Sequence, residues 1–213
     1  MSSLFIYVVD RDFGFAPNPF HGSCTLATCK PRIRGSAQTG DWIVGMGGSR
    51  LKATGRCIFA MRVGRVLTFN RYWADPEFRD KRPIRNGSLV MLVGDNIYHN
   101  DGKAWTQEDS HHSRPDGTPE PSNVANDTSA DAVLVSDLFY YFGTHAPEVP
   151  TSILEALDYK NGRNHRRISM PSPGNKLLEW LNSNFVPNRV LGSPFDFERG
   201  ASRYSHATNK VSP

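Results

Sequence analysis

No apolar run in this chain approaches the roughly 18–20 residues of a membrane-crossing helix, and turn-forming residues interrupt the runs it has. Leu4-Phe-Ile-Tyr-Val-Val9 is β-rich and reads as a buried strand. The next stretch, Asp10 to His21, holds Gly14, Pro17, Asn18 and Pro19 among aromatic and apolar residues. Two prolines and a glycine exclude a regular helix or a central strand there, so this loop packs over a core or lines a pocket. Gly40-Asp41 turns into a strand at Trp42-Ile-Val44 that ends in Gly45-Met-Gly-Gly48. Cys57 to Phe69 reads as a long strand or bent strand pair with Gly64 as a bulge.

Asn70 to Phe78 reads as a short helix or turn, and Ser88 to Val93 as a further strand. Residues 100–129 are polar, with Pro115, Gly117, Pro119 and Pro121, and are expected to form a long functional or partly disordered loop. Ala132–Val135 and Leu138–Phe142 read as strands. Thr151–Tyr159 and Asn175–Phe185 read as helices, the second with Leu177, Leu178, Leu181 and Phe185 on one stripe. Six or seven strands followed by two or three short helices make an α+β, barrel-like domain, not a βαβ array. A chain of 213 residues suits one globular domain, expected over residues 1–199, with a disordered tail at 200–213. Cys24, Cys29 and Cys57 cannot all pair with one another, and the start MSSLFIYVVD has no basic n-region. Both points favour a soluble, cytoplasmic protein with no membrane partner.

The net charge of +4 conceals an asymmetry: residues 1–100 carry +7, residues 101–160 carry −8 and residues 161–213 carry +5. If the basic segments meet on one face, that face attracts phosphate. The chain contains no Walker A loop, G-x-G-x-x-G, G-x-S-x-G or H-E-x-x-H, which removes the commonest nucleotide-hydrolysing, dinucleotide, serine-hydrolase and zincin readings. His99, His111 and His112 stand near Asp95, Asp101, Glu108 and Asp109, a composition suited to acid–base work or metal binding. Their spacing fits no zinc signature, so no metal site is assigned, and no cofactor is indicated. Cys24 and Cys29, with His21 upstream, raise a Cys–His nucleophile, against the commoner fate of a buried thiol. Trp42, Tyr72, Trp73, Tyr98 and Trp105 adjoin polar residues and can stack bases, while Arg32, Arg34, Arg62, Arg65 and Arg71 can reach phosphates.

Several segments resemble the second type of nucleotide modification associated domain. They are Asp12-Phe-Gly-Phe-Ala-Pro-Asn-Pro-Phe20, Cys24-Thr-Leu-Ala-Thr-Cys-Lys-Pro31, Gly40-Asp-Trp-Ile-Val-Gly45, Gly94-Asp-Asn-Ile-Tyr-His99, Asp109-Ser-His-His-Ser113, Asp131 to Asp137, Phe139 to Gly143, and Gly162-Arg163 with His165. The resemblance implies a setting among systems that modify nucleic-acid bases. The pattern Gly40-Asp-Trp-Ile-Val followed by Cys57 to Val66 is also similar to PUA-like barrels of the EVE and YTH types, which implies a PUA-like mixed β-barrel and a pocket for an extruded base. Two functions follow. In the first, a binding module holds a modified or flipped nucleotide between Trp42, Trp73, Trp105 and Tyr98, with Asp95 and Asn96 reading a base edge and Arg32, Arg34 and Arg163 on phosphates. In the second, an enzyme acts on a base or nucleotide with Asp95, His99, His111 and His112 as acid–base groups and Cys24 as nucleophile. A third reading is an interaction subunit of a modification or defence system. The expected partner is nucleic acid or nucleotide, DNA over RNA, with protein partners from such a system.

Overall fold

The computed structural model describes residues 2–162 and 164–212, so Arg163 lies outside the described residues. The first apolar run forms the strand Ser3–Val9, which pairs in parallel with Trp42–Gly47 and antiparallel with His165–Ser169. Trp42–Gly47 continues antiparallel to Cys57–Arg62, which pairs with Leu138–Tyr141, and Arg189–Val190 closes the far edge of this six-stranded sheet. A second, three-stranded antiparallel sheet joins Cys24–Leu26, Val133–Ser136 and Arg65–Leu67. Side-chain alternation lets this small sheet serve two cores. Cys24, Leu26 and Leu134 face the core of the large sheet. Val133 and Val135 face a second core with Phe13, Phe15, Phe69, Tyr72, Ile97 and Tyr98. The helices are short, the longest described being Gly174–Asn184, and the architecture is α+β. Among the described residues, no helix is long and apolar enough to cross a membrane.

The structure corrects several expectations. The sheets stay open, with Arg189–Val190 and His165–Ser169 at the edges of the larger one, so no closed barrel forms among the described residues. Cys57 to Phe69 is a bent pair split between the two sheets, with Gly64 at the bend and its N–H donating to the Val135 carbonyl. The irregular register lies instead at Gly45/Met46, where a Cβ on Gly45 would come within 2.2 Å of the Phe59 ring. Ser88 to Val93 contains the helical turn Leu89–Leu92, because Leu and Met favour helix and no strand pairs with this run. The polar stretch 100–129 is built: a hairpin joins Tyr98–Asn100 to Trp105–Gln107, and Pro121 opens the helix Pro121–Asp127. Composition points to disorder after residue 200, yet Arg203–Ser205 and Lys210–Ser212 form a second hairpin. Its backbone is held by side chains of the helix: the His206 N–H donates to Asn123 Oδ1 at 2.8 Å.

Candidate active site

Where the strand Cys24–Leu26 ends, the chain makes a tight loop before Pro31 opens a one-turn helix at Pro31–Arg34. Cys29 and Lys30 both lie in the left-handed region, with φ of 55° and 41°. Non-glycine residues there cost on the order of 1–3 kcal/mol each and need surrounding support. Two buried side chains supply it. The Arg34 guanidinium donates to the carbonyls of Cys29 (2.7 Å), Ala130 (2.9 Å), Ala132 (2.5 Å) and Asp127. The Cys29 N–H donates to Asp127 Oδ1 at 2.8 Å. The loop therefore presents a partly exposed thiol from a fixed backbone.

His112 follows the hairpin Tyr98–Asn100/Trp105–Gln107, and its carbonyl accepts from Gln107 (3.0 Å) and Asn123 (2.7 Å). Its Nδ1 donates to Asp127 Oδ2 at 2.8 Å, and its Nε2 stands 3.7 Å from Cys29 Sγ. Asp127 ends the helix Pro121–Asp127 and accepts further bonds from the Tyr98 hydroxyl (3.0 Å) and the Asn126 amide (3.1 Å). Burial works against charge on this carboxyl, but His112, Arg34 and the Cys29 N–H outweigh it and hold its pKa below the ordinary value. Burial likewise opposes charge on His112, yet Asp127 and Cys29 raise its pKa well above that of free imidazole. The result is a thiol–imidazole–carboxylate chain.

These three residues also form a cluster of metal-ligating types. However, His112 spends Nδ1 on Asp127 and has only Nε2 for the sulfur side. A single ion held through those atoms would have two protein ligands, with Asp127 behind the histidine, fewer than structural zinc sites use.

The thiol opens into a cavity of about 260 Å³. Phe13, Phe15, His111 and Tyr204 make its walls, and Arg11, Lys30 and Asp10 stand at its margin. Phe13 lies 4.3 Å from the His111 ring and Phe15 4.7 Å from His112, centroid to centroid. His111 Nδ1 donates to the Ser202 carbonyl at 2.6 Å, which leaves Nε2 as an acceptor. Burial, together with the charge on His112, pushes the His111 pKa down to about 3. Tyr7 also lines the cavity, and its buried hydroxyl has no hydrogen-bond partner among the described residues. Leaving such a group unpaired costs about 1–3 kcal/mol.

The expected site residues therefore divide. His111 and His112 come together with Cys29. Cys24 is fully buried against Met61, and burial pushes its thiol up to about 12. Asp95 is sealed in the second core, bonded to the Thr25 and Tyr72 hydroxyls. Asn96 donates to the Tyr72 and Phe78 carbonyls. His99 stacks on Trp73 and pairs with Glu108 at 2.9 Å. Trp42 lies in the large sheet, Trp73 under the Arg82 guanidinium and Trp105 against Phe69. Tyr98 and Arg34 support Asp127 from within the protein, Arg65 pairs with Glu77, and Arg32 is exposed in a groove that Cys29 also lines. Asp127, Tyr7, Phe13, Phe15 and Tyr204 were not among the expected site residues, and the nucleophile expected was Cys24, not Cys29. Asp127 is foreshadowed only by its place at the end of a Pro-initiated helix.

The family model for nucleotide modification associated domain 2 matches residues 1–201, a span that holds Cys29, His112 and Asp127 and stops short of Tyr204. No curated protein and no solved structure matches the chain.

Proposed function

The chain belongs to the nucleotide modification associated domain 2 family, and from that premise we propose that it is a thiol-dependent enzyme of a nucleic-acid modification system, acting by acyl transfer on a nucleotide or on a group the nucleotide carries. The observation that carries this reading is the chain Cys29–His112–Asp127 at the floor of an aromatic cavity. Acyl transfer needs a nucleophile, a base within reach of its proton and a third group to orient the base.

With the shared proton on His112 Nε2, Cys29 Sγ attacks the carbonyl carbon and the π pair moves to oxygen. Collapse of the tetrahedral adduct breaks the bond to the leaving group, which takes the proton from Nε2 and leaves a thioester on Cys29. Water or an amine then attacks the thioester, gives its proton to Nε2 and expels the sulfur. Asp127 keeps the imidazole in the tautomer that faces the thiol. The volume of about 260 Å³ falls just below the roughly 300–1,000 Å³ of drug-sized ligand sites, which suits one base or its substituent rather than a strand. The walls of Phe13, Phe15 and Tyr204 suit a planar ring.

Cys29 should react with iodoacetamide at neutral pH far faster than the buried Cys24 and Cys57. His112→Asn should slow that reaction by about a hundredfold, read by intact and peptide mass. A Cys29 no more reactive than in the urea-unfolded chain would overturn the proposal.

A further inference from the structure

A second groove adjoins the cavity and shares Tyr7, Cys29, Lys30 and Tyr204 with it, so the thiol stands on the divide between them. The groove has a volume of about 390 Å³ and no carboxylate in its lining. Its remaining polar groups are Arg32, Asn126, Asn164, His165 and His206. The lysine, arginine and imidazole side chains come from three distant parts of the chain, at residues 30–32, 165 and 206, so folding assembles them and no local run of charge does. This is where the basic N-terminal and C-terminal segments meet.

We propose that this groove is a phosphate subsite, which holds the phosphate of a nucleotide while its base or base-borne group occupies the aromatic cavity and meets Cys29. The inference rests on the reading of Cys29 as a nucleophile and adds the substrate's class: a phosphate ester, either a mononucleotide or a link of a polynucleotide. Three features support it. Lys30 and Arg32 line the groove together with Cys29, and Arg32 is exposed. His165 and His206 complete a wall of donors with no acidic competitor. Arginine and lysine grip phosphate oxygens through charge-assisted hydrogen bonds. Finally, burial and then the charges of Arg32 and Lys30 lower the pKa of His165, as expected where positive groups crowd together without a counter-ion.

The test is protection of Cys29 from iodoacetamide, read in the wild-type protein and in Arg32→Gln. The protectants are the four deoxynucleoside 5′-monophosphates, the four deoxynucleosides, and a short single-stranded oligonucleotide of mixed sequence. The monophosphates should protect at about tenfold lower concentration than the nucleosides, and Arg32→Gln should erase that advantage, with protection in each protein read against its own unprotected alkylation rate. Protection by the oligonucleotide alone, weakening with salt, would assign the phosphate to a backbone and still support the subsite. Equal protection by nucleosides and monophosphates, or an unchanged advantage in Arg32→Gln, would overturn it. If Cys29 proves unreactive, the enzyme reading fails by itself. Fluorescence anisotropy of the labelled oligonucleotide against both proteins then tests the groove alone, and equal affinities would overturn the subsite.

Discussion

Asp127 accepts from four donors, two on each oxygen: the Cys29 N–H and Asn126 amide on one, the Tyr98 hydroxyl and His112 Nδ1 on the other. Asp127→Asn turns one oxygen into a donor that must face a donor already there. It should cost about 1–3 kcal/mol in urea unfolding and slow Cys29 alkylation as well. His111 and His112 pull stability in opposite directions with pH. His111 stays neutral in the fold down to about pH 3, while its unfolded form takes a proton near 6.5. Its contribution is therefore whole above pH 6.5 and is lost as pH falls, by about 1.4 kcal/mol per unit. His112 has a raised pKa, so its contribution is whole below 6.5 and is lost as pH rises through the folded value. His111→Asn should flatten the acid limb of stability between pH 6 and 4 by one proton's worth of slope, measured by urea melts across that range. At this scale the sequence was half legible. The pair His111-His112 stood out, but Cys24 and Cys29 are separated by environment alone: Cys24 belongs to the apolar strand Cys24–Leu26, whereas Cys29 meets Lys30 and Pro31 at a turn. No spacing rule links residues 29, 112 and 127.

The elements show why some runs were readable and others not. Leu4 to Val9 and Leu138 to Phe142 carry enough β-branched and aromatic residues to need a sheet, and they found one. Ser88 to Val93 is as apolar, yet no neighbour offers it a ladder, so propensity settled the matter. Residues 100–129 gave no periodic signal because their buried positions are polar. Ser110, His111, His112, Ser113, Asn123 and Asp127 are all inside, satisfied by hydrogen bonds to one another, to Cys29 and Tyr98, and to the C-terminal segment at Ser202, Tyr204 and His206. Two element-level outcomes follow from contacts already described. Gly45→Ala would drive a Cβ into the Phe59 ring, and overpacking of that kind costs about 1–3 kcal/mol, visible as a lowered Tm. Asn123 donates to the carbonyls of His112 and Tyr204 and accepts from the His206 N–H, which ties the C-terminal hairpin to the site. Asn123→Ala should speed amide exchange across residues 203–212. It should also raise the reaction of Cys29 with bulky maleimides relative to iodoacetamide, since Tyr204 is a wall of the cavity.

Across the whole molecule, the charge asymmetry read along the chain becomes a spatial one. The acidic middle segment supplies Asp127 beneath the thiol, while the basic ends supply Arg11, Lys30, Arg32 and His165 around it. Oligonucleotide binding should therefore be strongly salt-dependent and should weaken in Lys30→Gln/Arg32→Gln, measured by anisotropy at two ionic strengths. The α+β class was legible from the order of runs, whereas the open sheet was not, because closure depends on strand tilt and register that no local pattern encodes. One tie acts at this scale as well. Arg34 laces the carbonyls of Cys29, Ala130, Ala132 and Asp127 through one planar fork, so segments about a hundred residues apart in sequence move as a single stiff plate. The sulfur and the carboxylate ride on that plate, and the imidazole is pinned to it through Asp127 and Asn123. The longest contact in the chain of three is then the 3.7 Å between Sγ and Nε2.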